Sequence, residues 1–359
     1  MTGHAAARRA AALRIDDAAW DSFVSDSSAP SFLQATPWAA VKRPNGWRSA
    51  RIVVEGGAGI GPVGAQVLVR HPRPLPKGFG YAARGPVAAG PVDAGVLRAF
   101  TEAARAAAKG LGIAHLRIDP EVEDPDGSVA GVLRDLGWRP APDIQPRSTR
   151  IVDLSLTEDE LMAGLRKKTR QSLHRAQNED VSVVQAGADR LPEFHRTLAG
   201  TMDRVGLPSR SLGFFRDLWA AYDAAGKAML LLAETGKGEV VSGTLLVGWG
   251  PRLVALYGGT NAAGRDLNAK YLINWAGLTH AKAAGYALYD LWGLPNEGIT
   301  YFKAGWGGRQ VDYVGAWDLV VDPIGARIFE TAVAARATLN RIRRGGGLRG
   351  GAGPSSEAA

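Results

Sequence analysis

Residues 48–55 and 65–70 alternate apolar and polar positions and are rich in β-branched side chains, which predicts two strands. The connection between them, Gly-Gly-Ala-Gly-Ile-Gly-Pro-Val-Gly, predicts that they pair as a hairpin. A further strand is expected from residue 80 to 87; it carries Tyr81 and ends at Arg84-Gly85-Pro86-Val87. The period then changes. Between 92 and 109, Val96, Leu97, Phe100, Ala103 and Ala107 recur at helical spacing. Residues 113–118 return to a strand, which Asp119-Pro120 stops. A helix over 128–136 and a strand over 150–154 complete the first series.

The second half repeats this order. Residues 227–234 and 240–247 form a strand pair around Gly-Lys-Gly-Glu, and 253–257 is a strand ending in Tyr257. A helix over 268–285 and a strand over 287–292 follow. The repeat runs in register across five elements, setting Tyr81 beside Tyr257 and Asp119 beside Asp290. It predicts two similar α/β (α+β) units, each a mainly antiparallel mixed sheet with helices packed on it. The expected organisation is a flexible leader over 1–15, a first domain over 16–155, a second over 156–344, and a disordered tail over 345–359. Residues 157–225, inside the second domain, are mostly helical. There Arg166, Arg170 and His174 fall at i, i+4 and i+8. That spacing fits an ordinary solvated helix face or a phosphate-facing ridge; on the second reading Arg166, Lys167 and Arg170 would hold the backbone of a nucleic acid.

Composition narrows the chemistry. With 359 residues, 46% of them hydrophobic and 22% charged, the chain is of the soluble globular type. It has no cysteine, which excludes disulfides, thiolate metal sites and thiol catalysis. A net charge of +8 and a pI near 9.8 favour anionic partners, although the heavy use of Ala, Gly and Arg gives that charge a compositional source as well. No apolar run is long enough for a membrane span, and the N-terminal alanine-rich run, closed off by Arg14 and Asp16, is too short for a secretory segment, so a cytoplasmic chain is expected.

The motif search removes further classes. Gly59-Ile60-Gly61-Pro62-Val63-Gly64 has dinucleotide-loop spacing, but a strand follows it where a helix is required. No GxSxG, Walker or HExxH pattern occurs, and none of the six histidines has metal-pair spacing. Direct attack of an amine on an activated acyl group remains, with the protein supplying position and charge. Before the second long helix, Arg265-Asp266-Leu267-Asn268-Ala269-Lys270 lacks the glycines with which acetyltransferase-like folds cradle the pyrophosphate of coenzyme A. Coenzyme A is therefore disfavoured, and no cofactor is expected. Lys303, in a glycine-bordered stretch, offers a point charge where an oxyanion develops.

Several segments, in order, carry a family resemblance: SFLQATPWAAVK, YAARGPV, LRIDP, LRKKTRQSLHRAQ, TMDRVGLPSR, LYGGTN, AKAAGYALYDLWG, ITYFKAGWGG and VGAWDL. From about Ser31 to Asp322 the chain resembles the Fem family of aminoacyl-tRNA-dependent transferases, which build peptidoglycan interpeptide bridges. The resemblance implies two acetyltransferase-like (GNAT-like) domains. It also implies transfer of an amino acid from its tRNA ester to an amine on the stem peptide of a UDP-linked or lipid-linked precursor. It places Lys42 near the precursor's phosphates and Arg204 or Arg210 at a second anion contact. Tyr81 and Tyr257 would line a cleft with Arg84, and Lys303, beside Phe302, would lie near the tRNA 3′ end or the developing oxyanion. Lys303 and Tyr257 are thus the expected catalytic pair, and Lys42, Tyr81, Arg84, Arg204, Arg210, Phe302 and Trp306 the substrate-binding set.

The chain departs from the family in three places. Ala88 and Ala89 stand where an acidic residue is common, leaving the base open among Asp93, Asp119 and Asp290. Trp306 replaces a phenylalanine, and no heptad arm is present. Alternatives are tRNA-dependent transfer to a small amine or peptide in specialised metabolism, and a non-catalytic GNAT-like binding protein. A monomer, with peripheral contact at the inner membrane face, is expected.

Overall fold

The computed structural model describes residues 15–56, 61–206 and 208–343. The expected leader, apart from Ile15, and the expected tail lie outside the described residues, as does part of the glycine-rich hairpin connection. The chain divides into two compact units: residues up to Gln145 together with those from Tyr313 on, and Pro146–Asp312.

The first unit is built on a seven-stranded sheet among the described residues. Arg48–Glu55 and Pro62–Arg70 pair antiparallel, from Arg48 opposite Val69 to Glu55 opposite Pro62, as the hairpin reading requires. Gly78–Ala82 adds antiparallel to the hairpin, and Ile113–Ile118 then lies parallel to Gly78–Ala82. A parallel neighbour needs a crossover, and the helix Ala94–Leu111 provides it. Asp93 caps this helix by accepting from the Val96 N–H at 2.9 Å. Gly112 ends the helix at φ +67°, a left-handed position suited to glycine. Val96, Leu97, Phe100 and Ala104 are buried against Val67, Leu116 and Ile118 in the unit's core.

The second unit repeats the plan in another seven-stranded sheet. Ala228–Thr235 and Val240–Trp249 pair antiparallel, and Arg252–Thr260 extends the pair. The helix Ala269–Ala283 crosses over to Leu288–Asp290, which lies parallel to Arg252–Thr260. Gly277 allows the close packing of that helix, since a side chain there would run into the Tyr289 hydroxyl. Ala269, Ile273, Leu278 and Ala281 join Leu231, Leu246 and Trp306 in the core.

The expected domain boundary is displaced. Ser148–Asp153 pairs with Leu288–Asp290 and Arg309–Asp312, so it completes the second sheet. Trp317–Val320 pairs with Ile113–Ile118 and Trp138–Pro140, so it completes the first. In each sheet the strand after the crossover still presents unpaired backbone groups, and a strand from outside the repeat supplies their partners.

Candidate active site

In the second unit the helix Glu297–Ala304 carries Phe302 and Lys303 in its last turn. Asn296 starts it, accepting from the Ile299 N–H at 3.0 Å. Lys303 therefore stands on a helix, whereas a glycine-bordered loop was expected; the glycines come after it. Gly305 lets the end of this helix press on the helix Lys167–Gln177, for a side chain there would meet Thr169, and its carbonyl accepts the Arg166 N–H at 3.0 Å.

Lys303 Nζ donates to the carbonyl oxygens of Trp292, at 3.0 Å, and Gly293, at 2.6 Å. Two of its three protons are thereby engaged, and one remains for another acceptor. Burial lowers its pKa to about 8, and the nearby Asp290 carboxylate offsets part of that fall. Asp290 is fully buried at the end of its strand. Its Oδ1 accepts from the Thr149 hydroxyl and, at 2.7 Å, from the Trp292 N–H. Arg252 Nη1 lies 3.5 Å from its Oδ2. Trp292 is held at φ +60°, a sparsely populated conformation for a bulky residue, with its N–H on Asp290 and its carbonyl on Lys303.

Phe302 faces a cationic neighbourhood. Its ring meets Tyr271 at 5.5 Å and Trp306 at 6.2 Å, and Lys270 Nζ lies 4.8 Å from the Phe302 centroid and 5.0 Å from that of Tyr271. Burial lowers the Lys270 pKa first, and the charges of Arg204, Lys168 and Arg265 lower it further. Lys270, beside these two rings, thus feels the positive charge of three other cations, and an anion bound there would relieve that repulsion. Trp306 was expected at a pocket wall, but it is 1% exposed and belongs to the core.

Arg204 and Arg210 serve different places. Arg204 joins Lys270, while Arg210 hydrogen-bonds the Tyr257 hydroxyl and lies 5.2 Å from the Phe214 ring. Tyr257 packs edge-on against Phe214 and Phe215 at 5.9 and 5.1 Å. Burial raises its pKa, and Arg210 restrains the rise. His195 Nε2 pairs with the Arg210 carbonyl at 2.9 Å and so fixes that segment.

On the helix Lys167–Gln177 and its cap, Arg166, Lys167, Lys168, Gln171, Ser172 and Arg175 line a groove of about 450 Å³. Arg166 also covers the Tyr301 ring at 4.2 Å. Arg170 does not line the groove. Its guanidinium turns to the Met162 and Ala163 carbonyls, both at 3.4 Å, where it complements the C-terminus of the helix Glu158–Gly164.

The first unit holds a closed counterpart. Asp119 Oδ2 accepts from the Tyr81 hydroxyl at 2.7 Å, and Oδ1 from the Arg84 N–H at 2.6 Å. Arg84, at φ +58°, sets its guanidinium 4.8 Å from the Tyr313 centroid and its Nε 3.4 Å from Glu121. Burial raises the Asp119 pKa, and Arg84 pulls it back; burial also pushes the Tyr81 hydroxyl well up. In the chain as a whole Tyr81 and Arg84 are 1% and 2% exposed, so they form a buried network where cleft-lining residues were expected. Lys42 is likewise 3% exposed, with Nζ 5.2 Å from the Trp38 centroid.

Strand register also changes the expected internal correspondence. Tyr81 lies opposite Arg117, two residues before Asp119, and Arg252 lies opposite Leu288, two residues before Asp290. Arg252, not Tyr257, is the counterpart of Tyr81. The sequence reading also missed Lys270, Lys168 and Arg265 as a group. Their signal was faint: Arg265 and Lys270 border the turn that was noticed only for its missing glycines.

A family model described as an acetyltransferase (GNAT) domain matches residues 163–304. A tandem GNAT protein from the clavulanic acid biosynthesis pathway shares the fold with a TM-score of 0.50, at 15% identity, covering 77% of this chain and 84% of that one. The chain has the acetyltransferase-like fold. The crystal structure of FemX aligns with a TM-score of 0.81 and 22% identity, over 89% of this chain and all of that one. The lipid II:glycine glycyltransferase of Staphylococcus epidermidis is 25% identical over 379 aligned positions, covering 84% of this chain and 91% of that protein. Over most of its length the chain is thus similar to Fem-type transferases.

Proposed function

We propose that this chain transfers an amino acid from aminoacyl-tRNA to an amine on the stem peptide of a peptidoglycan precursor, contributing to interpeptide bridge formation. Glycine and lipid II, which name the relatives' reaction, are the donor and acceptor to test first. The acceptor amine attacks the ester carbonyl, a C–N bond forms, and the C–O bond to the tRNA ribose breaks. The amine loses a proton and the ribose oxygen gains one. A positive charge beside the carbonyl oxygen stabilises the intermediate.

The observation that carries this reading is the adjacency of Phe302 and Lys303 on one helical turn. Phe302 meets the cations around Lys270, which suit the phosphates of a tRNA end, while Lys303 keeps one proton for an oxyanion. Tyr257, supported by Arg210, is assigned to position the reacting groups. The basic groove from Arg166 to Arg175 is assigned to the tRNA backbone. Lys42, Tyr81 and Arg84 are buried and are assigned no contact with either substrate.

The test is incubation of the chain with charged tRNA and either UDP-linked or lipid-linked precursor, read by mass spectrometry. A gain of one amino-acid residue, abolished by ribonuclease, is the expected result. Transfer only to small amines, or none to any acceptor, overturns the reading.

A further inference from the structure

The C-terminal helix Pro323–Arg343 is held to its unit by its first turns. Ala326 is 3% exposed, and the Phe329 ring lies 5.5 Å from Phe79 and 5.2 Å from His115. The other side of these turns carries Ile324 and Ile328, one turn apart and 76% and 41% exposed. Past the sheet, Val333 is 52% exposed as well. Among the described residues, three of the five exposed large apolar side chains belong to this helix. Ile324 and Ile328 share one face, and paired exposure of this kind marks an interaction surface, whereas single exposed apolar residues such as Val333 are ordinary.

The charge on the segment identifies its partner. Between 323 and 349 the sequence holds Arg327, Arg336, Arg341, Arg343, Arg344 and Arg349 against one acid, Glu330. A second copy of the helix would bring one arginine-rich segment onto another, with only Glu330 to offset the repulsion. An anionic bilayer complements both features, taking the isoleucines at the acyl boundary and the arginines among the headgroups. No helix among the described residues is long and apolar enough to cross a membrane, so this contact lies along the surface.

We infer that the helix Pro323–Arg343 docks the chain on an anionic lipid surface through Ile324, Ile328 and Arg327, with the arginine-rich sequence from 336 to 349 adding positive charge. Its value for catalysis, bringing the chain to a lipid-linked acceptor, rests on the function proposed above. The docking itself does not.

The experiment is co-sedimentation of the full chain with phosphatidylcholine vesicles, with and without phosphatidylglycerol, in the absence of donor and acceptor. The chain is expected to bind the phosphatidylglycerol vesicles and to release in high salt. Ile324→Glu combined with Ile328→Glu should lower the bound fraction at least about tenfold without changing the far-UV circular dichroism. Arg327→Glu should weaken binding less, and Leu156→Glu, at an exposed position in the other unit, should leave it unchanged. Absence of binding to anionic vesicles, or equal binding by the double variant, overturns the inference. So does a wild-type dimer in sedimentation that the double variant abolishes, since the occupant would then be a second copy. A chain that binds vesicles yet transfers nothing overturns the proposed function and leaves this inference standing.

Discussion

Asp119 and Asp290 occupy one position in two copies of a plan. Each follows or ends the strand that runs parallel to its neighbour, and each accepts an N–H from a residue at positive φ, Arg84 or Trp292. Their surroundings differ. Asp119 is enclosed by Tyr81 and Arg84, with Glu121 and Tyr313 completing a buried network. Asp290 has Arg252 Nη1 at 3.5 Å from its Oδ2, and its field also reaches Lys303. The same anchor therefore consolidates a core in one unit and tunes a lysine in the other. The partner brought within range decides which.

Four experiments can break or sharpen this contrast, from the largest expected effect to the smallest. Asp119→Ala strands the Tyr81 hydroxyl and the Arg84 N–H and removes a carboxylate whose charge supports the buried Arg84 guanidinium. It should cost about 3–5 kcal/mol in urea unfolding, and a loss under about 1 kcal/mol would show that the network is not a structural anchor. Lys303→Ala should lower the transfer rate by about 10²–10³-fold, as for loss of one oxyanion donor, with unchanged circular dichroism; near-normal turnover would remove its assigned role.

The third is a pH profile. Lys303 is charged below its pKa of about 8 and loses its proton as pH rises through that value, so turnover should fall on the alkaline side near pH 8. The Asp290 carboxylate raises that pKa, so Asp290→Asn should move the falling limb to lower pH. An unmoved limb would disconnect the two residues. Last, Lys270→Ala should reduce the slope of log affinity for tRNA against log salt by about 1, whereas Arg170→Ala, which removes a charge turned toward helix carbonyls, should leave the slope nearly unchanged.

Much of the scaffold was legible from the chain alone. The hairpins, the crossover helices and the five-element repeat all appeared as changes of hydrophobic period, because those patterns are set by neighbours in sequence. The rejection of the Gly59–Gly64 dinucleotide motif followed from the strand after it, and Pro62–Arg70 is that strand. The family resemblance found Phe302 and Lys303 from a short segment. It could not show that Lys303 ends a helix, because the glycines beside it suggested a loop.

Other features could not be read this way. Matching Tyr81 to Tyr257 compared residue types; the true counterpart, Arg252, appears only when parallel register is known. Arg204 and Arg210 are close in sequence yet join Lys270 and Tyr257 respectively. Ser148–Asp153 and Trp317–Val320 both read as local strands or escaped notice, and nothing local says which sheet each completes.

The sequence by itself determined the elements, their order and their duplication, since periodicity and capping act over a few residues. Tertiary structure decided which strands close each sheet, which cations meet around Phe302, and how far Lys303 is drawn from an ordinary lysine. Those outcomes depend on desolvation and on charges brought together from distant segments, and both exist only once the chain has packed.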